Sequence, residues 1–198
     1  MTLVVVGVHA DDAVYSAGEW IAARRDQDVV VVTMLGAVPY GTDDEAWVKQ
    51  LLADNDQACA LLGARTIDLP FPDGKYGQPL FTRSLAASLH STLADLAPTE
   101  ILVPLGVRHA DHLLTAPVAM AEALATGARV CVYGDLPYAA MYPDEAAARF
   151  DQHDITEPAT TASHLEEKRQ ACRLYSNQFG EDAERHCFVY ERIWVVRQ

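Results

Sequence analysis

Short apolar runs, rich in branched side chains, alternate along this chain with longer amphipathic segments, and no other feature constrains the fold as strongly. Such runs are typical of strands that are buried on both faces of a parallel sheet. We predict strands over residues 3–8, 28–35, 65–69, 100–104 and 129–133. Helical spacing predicts helices over 16–27, 81–97 and 113–126. It also predicts a long helix that ends at Leu62, with Gly63 as the terminating residue. This alternation indicates an α/β fold, a Rossmann-like, doubly wound and mostly parallel sheet.

Beyond Gly134 the alternation stops. A loop rich in Pro and Tyr and a polar stretch run to Thr161, followed by a predicted helix over 162–179 and a strand-like run over 188–196. We interpret this part as a C-terminal extension. The 198 residues suffice for one domain with a sizeable core, so we predict a single domain over residues 1–198.

The balance of charge excludes several classes of partner. Lys and Arg number 15 against 28 Asp and Glu, giving a formal net charge of −13. An acidic protein repels nucleic acids and anionic lipids, and no apolar run approaches the roughly 20 residues that span a bilayer. We therefore expect a small-molecule substrate, with no nucleic-acid partner and no membrane insertion. The sequence leaves homo-oligomer formation open.

The cysteines and the N-terminus bear on the compartment. The four cysteines have no CxxC spacing, so we predict free, buried thiols and no disulfide framework. The first residues lead straight into an apolar strand without a basic segment or a cleavage site, so we predict no secretory signal. The expected location is cytoplasmic.

Two polar clusters interrupt the apolar framework, each just after a predicted strand. HADD occupies residues 9–12 after the first strand, and HADH occupies residues 109–112 after the fourth. In a doubly wound sheet of order 3-2-1-4-5 these strands are neighbours at the topological switch point, where ligands bind. We therefore expect the clusters to meet in space and to form a functional site.

The residue types in these clusters suit a zinc-dependent hydrolase. Zinc in a catalytic site keeps three protein ligands, and imidazoles with one carboxylate are a common set. His9 and Asp12 can both reach one ion, and a histidine of the second cluster completes the set. A remaining carboxylate can take a proton from water, and a remaining imidazole can stabilise an oxyanion or protonate a leaving amine.

The paired clusters resemble the signatures of the PIG-L (LmbE-like) N-acetylglucosaminyl deacetylases, His-Pro-Asp-Asp-Glu and His-Pro-Asp-His. Weaker similarity to that family extends over ALLGA, LPFPDG, GDLPYA and EEKRQACRLYSNQF, at residues 60–64, 69–74, 134–139 and 166–179. The resemblance implies one zinc, or another divalent ion, per chain and an N-acylated substrate. The metal ligands that it implies are His9, Asp12 and His112. The catalytic residues that it implies are Asp11 as general base, His109 for the oxyanion and proton donation, and Asp111 to orient an imidazole.

The departures from the family pattern fall on the substrate side. Both motif prolines are alanines, and Ala13 replaces the final Glu of the first motif. The Arg-x-x-Glu of the family corresponds to Leu51-x-x-Asp54, so an arginine associated with substrate contact is missing. We therefore predict weak turnover of simple N-acetylglucosamine and better turnover of a larger or less polar acyl amide.

Other interpretations remain open at this stage. The same metal site suits another small-molecule amidase, of the kind that acts on mycothiol conjugates, or a non-catalytic metal- or small-molecule-binding domain. A nucleotide-binding site is disfavoured because the first turn lacks GxGxxG, and a serine hydrolase because no GxSxG is present. Asp73 is interpreted as a turn residue. Of the loop tyrosines, we expect at most one to contact substrate: Tyr40, Tyr76, Tyr138 or Tyr142.

Overall fold

A computed structural model describes residues 1–76, 82–158, 164–175, 180–189 and 191–197. Within these residues, a seven-stranded sheet has the order β3-β2-β1-β4-β5-β7-β6. The first five strands are mutually parallel, whereas β7 is antiparallel to both β5 and β6. The strands are β1 (Thr2–Gly7), β2 (Asp28–Thr33), β3 (Ala64–Asp68), β4 (Glu100–Pro104), β5 (Arg129–Tyr133), β6 (Ile155–Pro158) and β7 (Ile193–Val196).

The helices that pack around the sheet form two groups. One group consists of α1, α2 and α7, and the other consists of α3 and α4. The helices are α1 (Asp12–Ala22), α2 (Glu45–Leu62), α3 (Thr82–Leu96), α4 (Ala110–Ala125), α5 (Tyr138–Met141), α6 (Pro143–Phe150), α7 (Leu165–Cys172) and α8 (Glu181–Cys187). None of the described helices is both long and apolar enough to cross a bilayer.

The predicted α/β class and the parallel order 3-2-1-4-5 are confirmed. The central strand β1 pairs with β2 on one side and with β4 on the other, and Val4 to Val6 are fully buried. Burial on both faces is why this strand appears in the sequence as an unbroken apolar run. Gly63 ends α2 with a φ of 91°, a left-handed conformation that favours glycine, as predicted. All four cysteines are free and buried, also as predicted.

Two helices begin earlier than predicted. The helix α1 begins at Asp12 rather than at residue 16, and α4 begins at Ala110 rather than at residue 113. Their first turns carry the polar cluster residues, which hide the apolar spacing on which the prediction depended. The His109 ring caps α4, because its Nδ1 accepts a hydrogen bond of 3.3 Å from the backbone N–H of Asp111. The cluster side chains are thereby held on rigid helix ends.

The loop and polar stretch predicted between Gly134 and Thr161 contain regular elements that the sequence did not indicate, within the described residues up to 158. This part contains α5, α6 and β6, and α6 buries only Ala146 and Phe150, too few apolar positions for a clear periodic signal. The helix predicted over 162–179 corresponds to α7, which ends at Cys172; residues 159–163 and 176–179 lie outside the described part of the chain. The strand predicted over 188–196 is the shorter β7.

Candidate metal centre and active site

The two polar clusters meet at the carboxyl edge of the sheet, where β1 and β4 end side by side. Ring nitrogens of His9, His109 and His112 lie within 4.8 Å of one another, although the chain separates the first from the others by about a hundred residues. His112 is completely buried, whereas His9 and His109 are half-buried. The convergence expected from the strand order is therefore present.

Asp12 lies at the centre of this arrangement. Its Oδ2 accepts a hydrogen bond of 2.7 Å from the backbone N–H of His9. The same oxygen lies 3.4 Å from Nδ1 of His9 and 3.3 Å from Nε2 of His112. Asp12 is also the first residue of α1, and a helix N-terminus favours a negative charge.

A buried carboxylate binds the ring nitrogen of His9, and another that of His112, on the side of each ring away from Asp12. Nε2 of His9 lies 3.1 Å from Oδ2 of Asp111, and Nδ1 of His112 lies 2.8 Å from Oδ1 of Asp135. Asp135 is fully buried and is held by a 2.8 Å hydrogen bond from the backbone N–H of Gly106. Carboxylates of this kind fix the tautomer of a metal-binding histidine by accepting its outer N–H. When the rings are neutral, the inner nitrogens, which face Asp12, are the unprotonated ones.

This donor set fits a divalent cation. Nε2 of His112 is buried and lies 3.3 Å from Oδ2 of Asp12, yet it makes no well-aligned hydrogen bond among the described residues, although buried polar atoms are normally satisfied. Two imidazole lone pairs and a carboxylate oxygen that face one another repel unless positive charge lies among them. Nitrogen and oxygen donors in this combination are suited to zinc and related divalent ions.

The titration behaviour of the protein without metal shows the same demand for positive charge. Burial disfavours protonated His9, but the carboxylates of Asp111 and Asp12 outweigh it and raise the pKa of His9 to about 10. Burial also opposes protonation of His112, yet Asp12 and Asp135 raise its pKa well above the usual range. The pKa of Asp12 is lowered, because the two imidazoles outweigh its burial. Without a metal ion, protons on His9 and His112 thus supply the positive charge that the surrounding carboxylates favour.

Asp11 differs from its neighbour Asp12. Burial, followed by the negative charge of Asp12, raises the pKa of Asp11 to about 7, with His9 and His112 acting in the opposite direction. Its side chain lines the pocket and makes no capping hydrogen bond to α1. A carboxyl group with a pKa near neutrality is well suited to accept and return a proton.

His109 is poised as a neutral hydrogen-bond donor. Burial, followed by the charges of His9 and His112, lowers the pKa of His109. Because its Nδ1 accepts the N–H of Asp111, the neutral ring carries its proton on Nε2. The ring also contacts Tyr138, with 5.9 Å between centroids.

A cavity of about 180 Å³ opens beside the centre and is lined by the first cluster and by His109 of the second. Two of the four candidate tyrosines, Tyr76 and Tyr138, line it. Asp73 lines it as well, so its interpretation as a turn residue was incomplete. The Oδ1 atom of Asp73 does accept the N–H of Lys75 at 2.8 Å, as a turn residue would, but its Oδ2 lies 3.7 Å from Nε2 of His9.

Sequence reasoning missed two residues that support the site. Asp135 belongs to the GDLPYA segment, whose similarity to the family was the only available signal. Tyr175 is fully buried, and its hydroxyl lies 2.8 Å from Oδ1 of Asn55 and 3.2 Å from the carbonyl oxygen of Ala10. Tyr175 therefore ties the first cluster to the C-terminal extension. No local pattern in the sequence reveals so distant a contact.

Fold and site together define an α/β domain with a His/Asp centre at the switch point of its sheet. Solved structures with this fold include a teicoplanin-biosynthesis deacetylase in complex with teicoplanin (TM-score 0.82, 21% identity, covering 99% of this chain and 98% of that one). They also include the N,N'-diacetylchitobiose deacetylase of Pyrococcus horikoshii (TM-score 0.64, 17% identity, covering 93% of this chain and 73% of that one). A third is GalB, the 4-carboxy-2-hydroxymuconate hydratase of Pseudomonas putida KT2440 (TM-score 0.57, 19% identity, covering 100% of this chain and 96% of that one).

These comparisons confirm the fold that the motif resemblance implied. A scan against models of protein families and a search among curated proteins each found no match. Because a hydratase shares the fold with the deacetylases, the reaction has to be argued from the site itself.

Proposed function

We propose that this chain is a metal-dependent amide hydrolase that removes an N-acyl group from an amino sugar or a sugar-containing small molecule. The observation that carries the proposal is the convergence of two carboxylate-backed imidazoles on one oxygen of Asp12, beside a second carboxylate of raised pKa in the pocket. The deacetylases with the same fold support the amide as the substrate.

We assign His9, Asp12 and His112 as the ligands of one zinc, or another divalent ion, per chain. Such an ion, when bound, would polarise the amide carbonyl and would lower the pKa of a water molecule, so that the water can lose a proton and attack the carbonyl carbon. The outer carboxylates, Asp111 and Asp135, hold the two imidazoles in the tautomer that leaves their inner nitrogens unprotonated.

The remaining residues move protons and stabilise charge. Asp11 takes a proton from the attacking water and returns it to the leaving nitrogen, so that a carboxylate and a free amine are released. His109 donates its Nε2–H to the oxygen that becomes negative in the transition state. A protein that only bound metal would have no use for a half-buried proton acceptor such as Asp11 beside its ligands.

The test combines metal content with amine release. The purified chain, stripped with a chelator and reloaded with zinc, should hold about one ion per chain. It should release free amine from N-acyl-glucosamines only when it is loaded. His9→Ala and His112→Ala should each lose the metal, whereas His90→Ala, at a ring that is 64% exposed, should keep it. Metal retention in both ligand variants, or water addition without amine release, would contradict the proposal.

A further inference from the structure

One side of the active-site pocket is formed by hydrocarbon. Next to His9 and Asp11 the pocket is bordered by an apolar wall from the end of β2 and the beginning of α2. We define the apolar wall as Leu35, Ala37, Trp47, Val48, Leu51 and Leu52. Apart from the indole N–H of Trp47, these side chains offer no polar atom to a ligand.

Leu51 occupies a decisive position in the apolar wall. The motif comparison aligns it with an arginine, and the structure places its side chain on the surface of the pocket. Asp54, one turn later, is turned away, because it is buried and accepts a 2.7 Å hydrogen bond from Gln50. At position 51 the pocket therefore presents an aliphatic side chain, where the family resemblance implies an arginine.

Another part of the pocket lining, which we call the polar rim, offers hydrogen-bonding groups. Asp73 and Tyr76 lie there, in a short turn that joins the second cluster to the N-terminus of α2: Gly74 donates its N–H to Asp111, and the Tyr76 hydroxyl donates to Asp44. Gly74 approaches so closely that a Cβ would clash with the Asp111 carboxylate. The lining of the pocket is therefore divided between the apolar wall and a set of hydrogen-bonding groups.

This asymmetry orients an amide substrate. Sugar hydroxyls that faced the apolar wall would lose their hydrogen bonds to water without replacement, which is costly. An alkyl chain gains free energy from the same surroundings. The acyl part of the substrate then belongs on the apolar wall, and the amine part on the polar rim.

We infer that the apolar wall is an acyl subsite and that the substrates carry an aliphatic N-acyl group of about four to six carbons. A cavity of 150 Å³ holds a benzene molecule, so a pocket of about 180 Å³, which also has to hold the amide group, has room for a short alkyl chain beyond a methyl group. The inference rests on the proposed function, since it specifies the acyl group that the hydrolase removes.

Alkyl hydroxamates test the subsite without knowledge of the amine. Aceto-, butyro-, hexano- and octanohydroxamic acid are titrated calorimetrically into the zinc-loaded chain. Each added methylene should tighten binding about three- to fourfold as far as hexano, about 10²-fold in all, with no further gain for octano. Leu51→Arg should reduce the gain between aceto and hexano to less than about tenfold.

Three further variants make the result specific. Leu51→Met, which stays apolar, and Leu61→Asn, at an exposed position on the same helix, should keep the dependence on chain length. Val48→Thr keeps the shape of the apolar wall and should weaken hexano binding more than aceto binding. If acetohydroxamate binds but chain length has no effect, the acyl subsite is refuted while the metal-dependent hydrolase stands. If no hydroxamate binds the loaded chain, both are refuted.

Discussion

Asp11 and Asp12 are neighbours of the same chemical type that the fold places in opposite electrostatic situations. The two imidazoles lower the pKa of Asp12, whereas burial beside Asp12 raises that of Asp11 to about 7. Asp12→Asn should lose zinc and activity together, because a neutral amide replaces the anionic donor. Asp11→Asn should keep zinc and lose about 10² to 10⁴ in kcat. Metal content and kcat, measured side by side, check this; a metal-free or fully active Asp11→Asn would reverse the roles.

Asp135 sets the tautomer of His112. Its two oxygens accept from the His112 ring and from the Gly106 N–H, so an asparagine can satisfy only one of these donors. In Asp135→Asn the amide NH₂ turned to His112 shifts the ring proton to Nε2 and blocks the metal side. Zinc affinity, measured by competition with a chelating dye, should fall about 10- to 100-fold. Asp144→Asn, at an exposed carboxylate, should leave it unchanged.

Among the elements, the parallel strands were predictable and the helix starts were not. Strands buried on both faces leave an unbroken apolar signature, and β4 and β5 have the predicted bounds. In α1 and α4 the first turn carries site residues, so function overrides periodicity there. The meeting of His9 and Asp12 with the second cluster was predictable because both clusters follow strands that meet at the switch point. The choice of His112 as the third ligand came from the family resemblance and stays a prediction. Asp135 was not predictable, because its role depends on a tertiary contact to His112.

The kink in α1 depends on a carboxylate from the other end of the chain. Ala17 is non-helical, and the N–H groups of Glu19 and Trp20 bond to the two oxygens of Glu191 at 2.9 and 3.1 Å. Glu191 caps the second half of the helix as an N-cap residue would. Lys168 on α7, completely buried, pairs with Glu191 at 2.9 Å. An apolar substitution at Lys168 therefore leaves the Glu191 carboxylate, which caps α1, buried without a cation.

Lys168→Met should lower the free energy of unfolding by about 3–5 kcal/mol. Burial raises the pKa of Glu191 even with Lys168 present, and loss of the cation raises it further. The folded variant then binds a proton that the unfolded chain lacks, so its stability falls as pH rises. Urea titrations should give a smaller deficit at about pH 5 than at about pH 8. Lys49→Met, which breaks the exposed pair with Glu45, should leave the free energy of unfolding almost unchanged at both pH values, because water screens that pair.

At the scale of the whole molecule, the sequence predicted the parallel half of the sheet better than the C-terminal half. Buried parallel strands depend on local composition, whereas β6 and β7 extend a sheet that already exists. The extension is fixed by distant contacts instead: β7 pairs with β5, α7 packs on α1 and α2, and Tyr175 reaches Ala10. We therefore propose that residues 1–198 form one cooperative domain.

One domain with one metal makes a thermal prediction. Zinc at about 100 times its dissociation constant stabilises the folded state by about 2.7 kcal/mol, which for a chain of this size raises Tm by about 5–10 °C. Calorimetry should show a single transition that shifts as a whole, because the extension shares its core with the metal loops. His112→Ala should melt at a temperature independent of zinc, and His90→Ala should shift like the unaltered chain. Two transitions, of which only one responds to zinc, would mean that the extension unfolds separately from the metal centre.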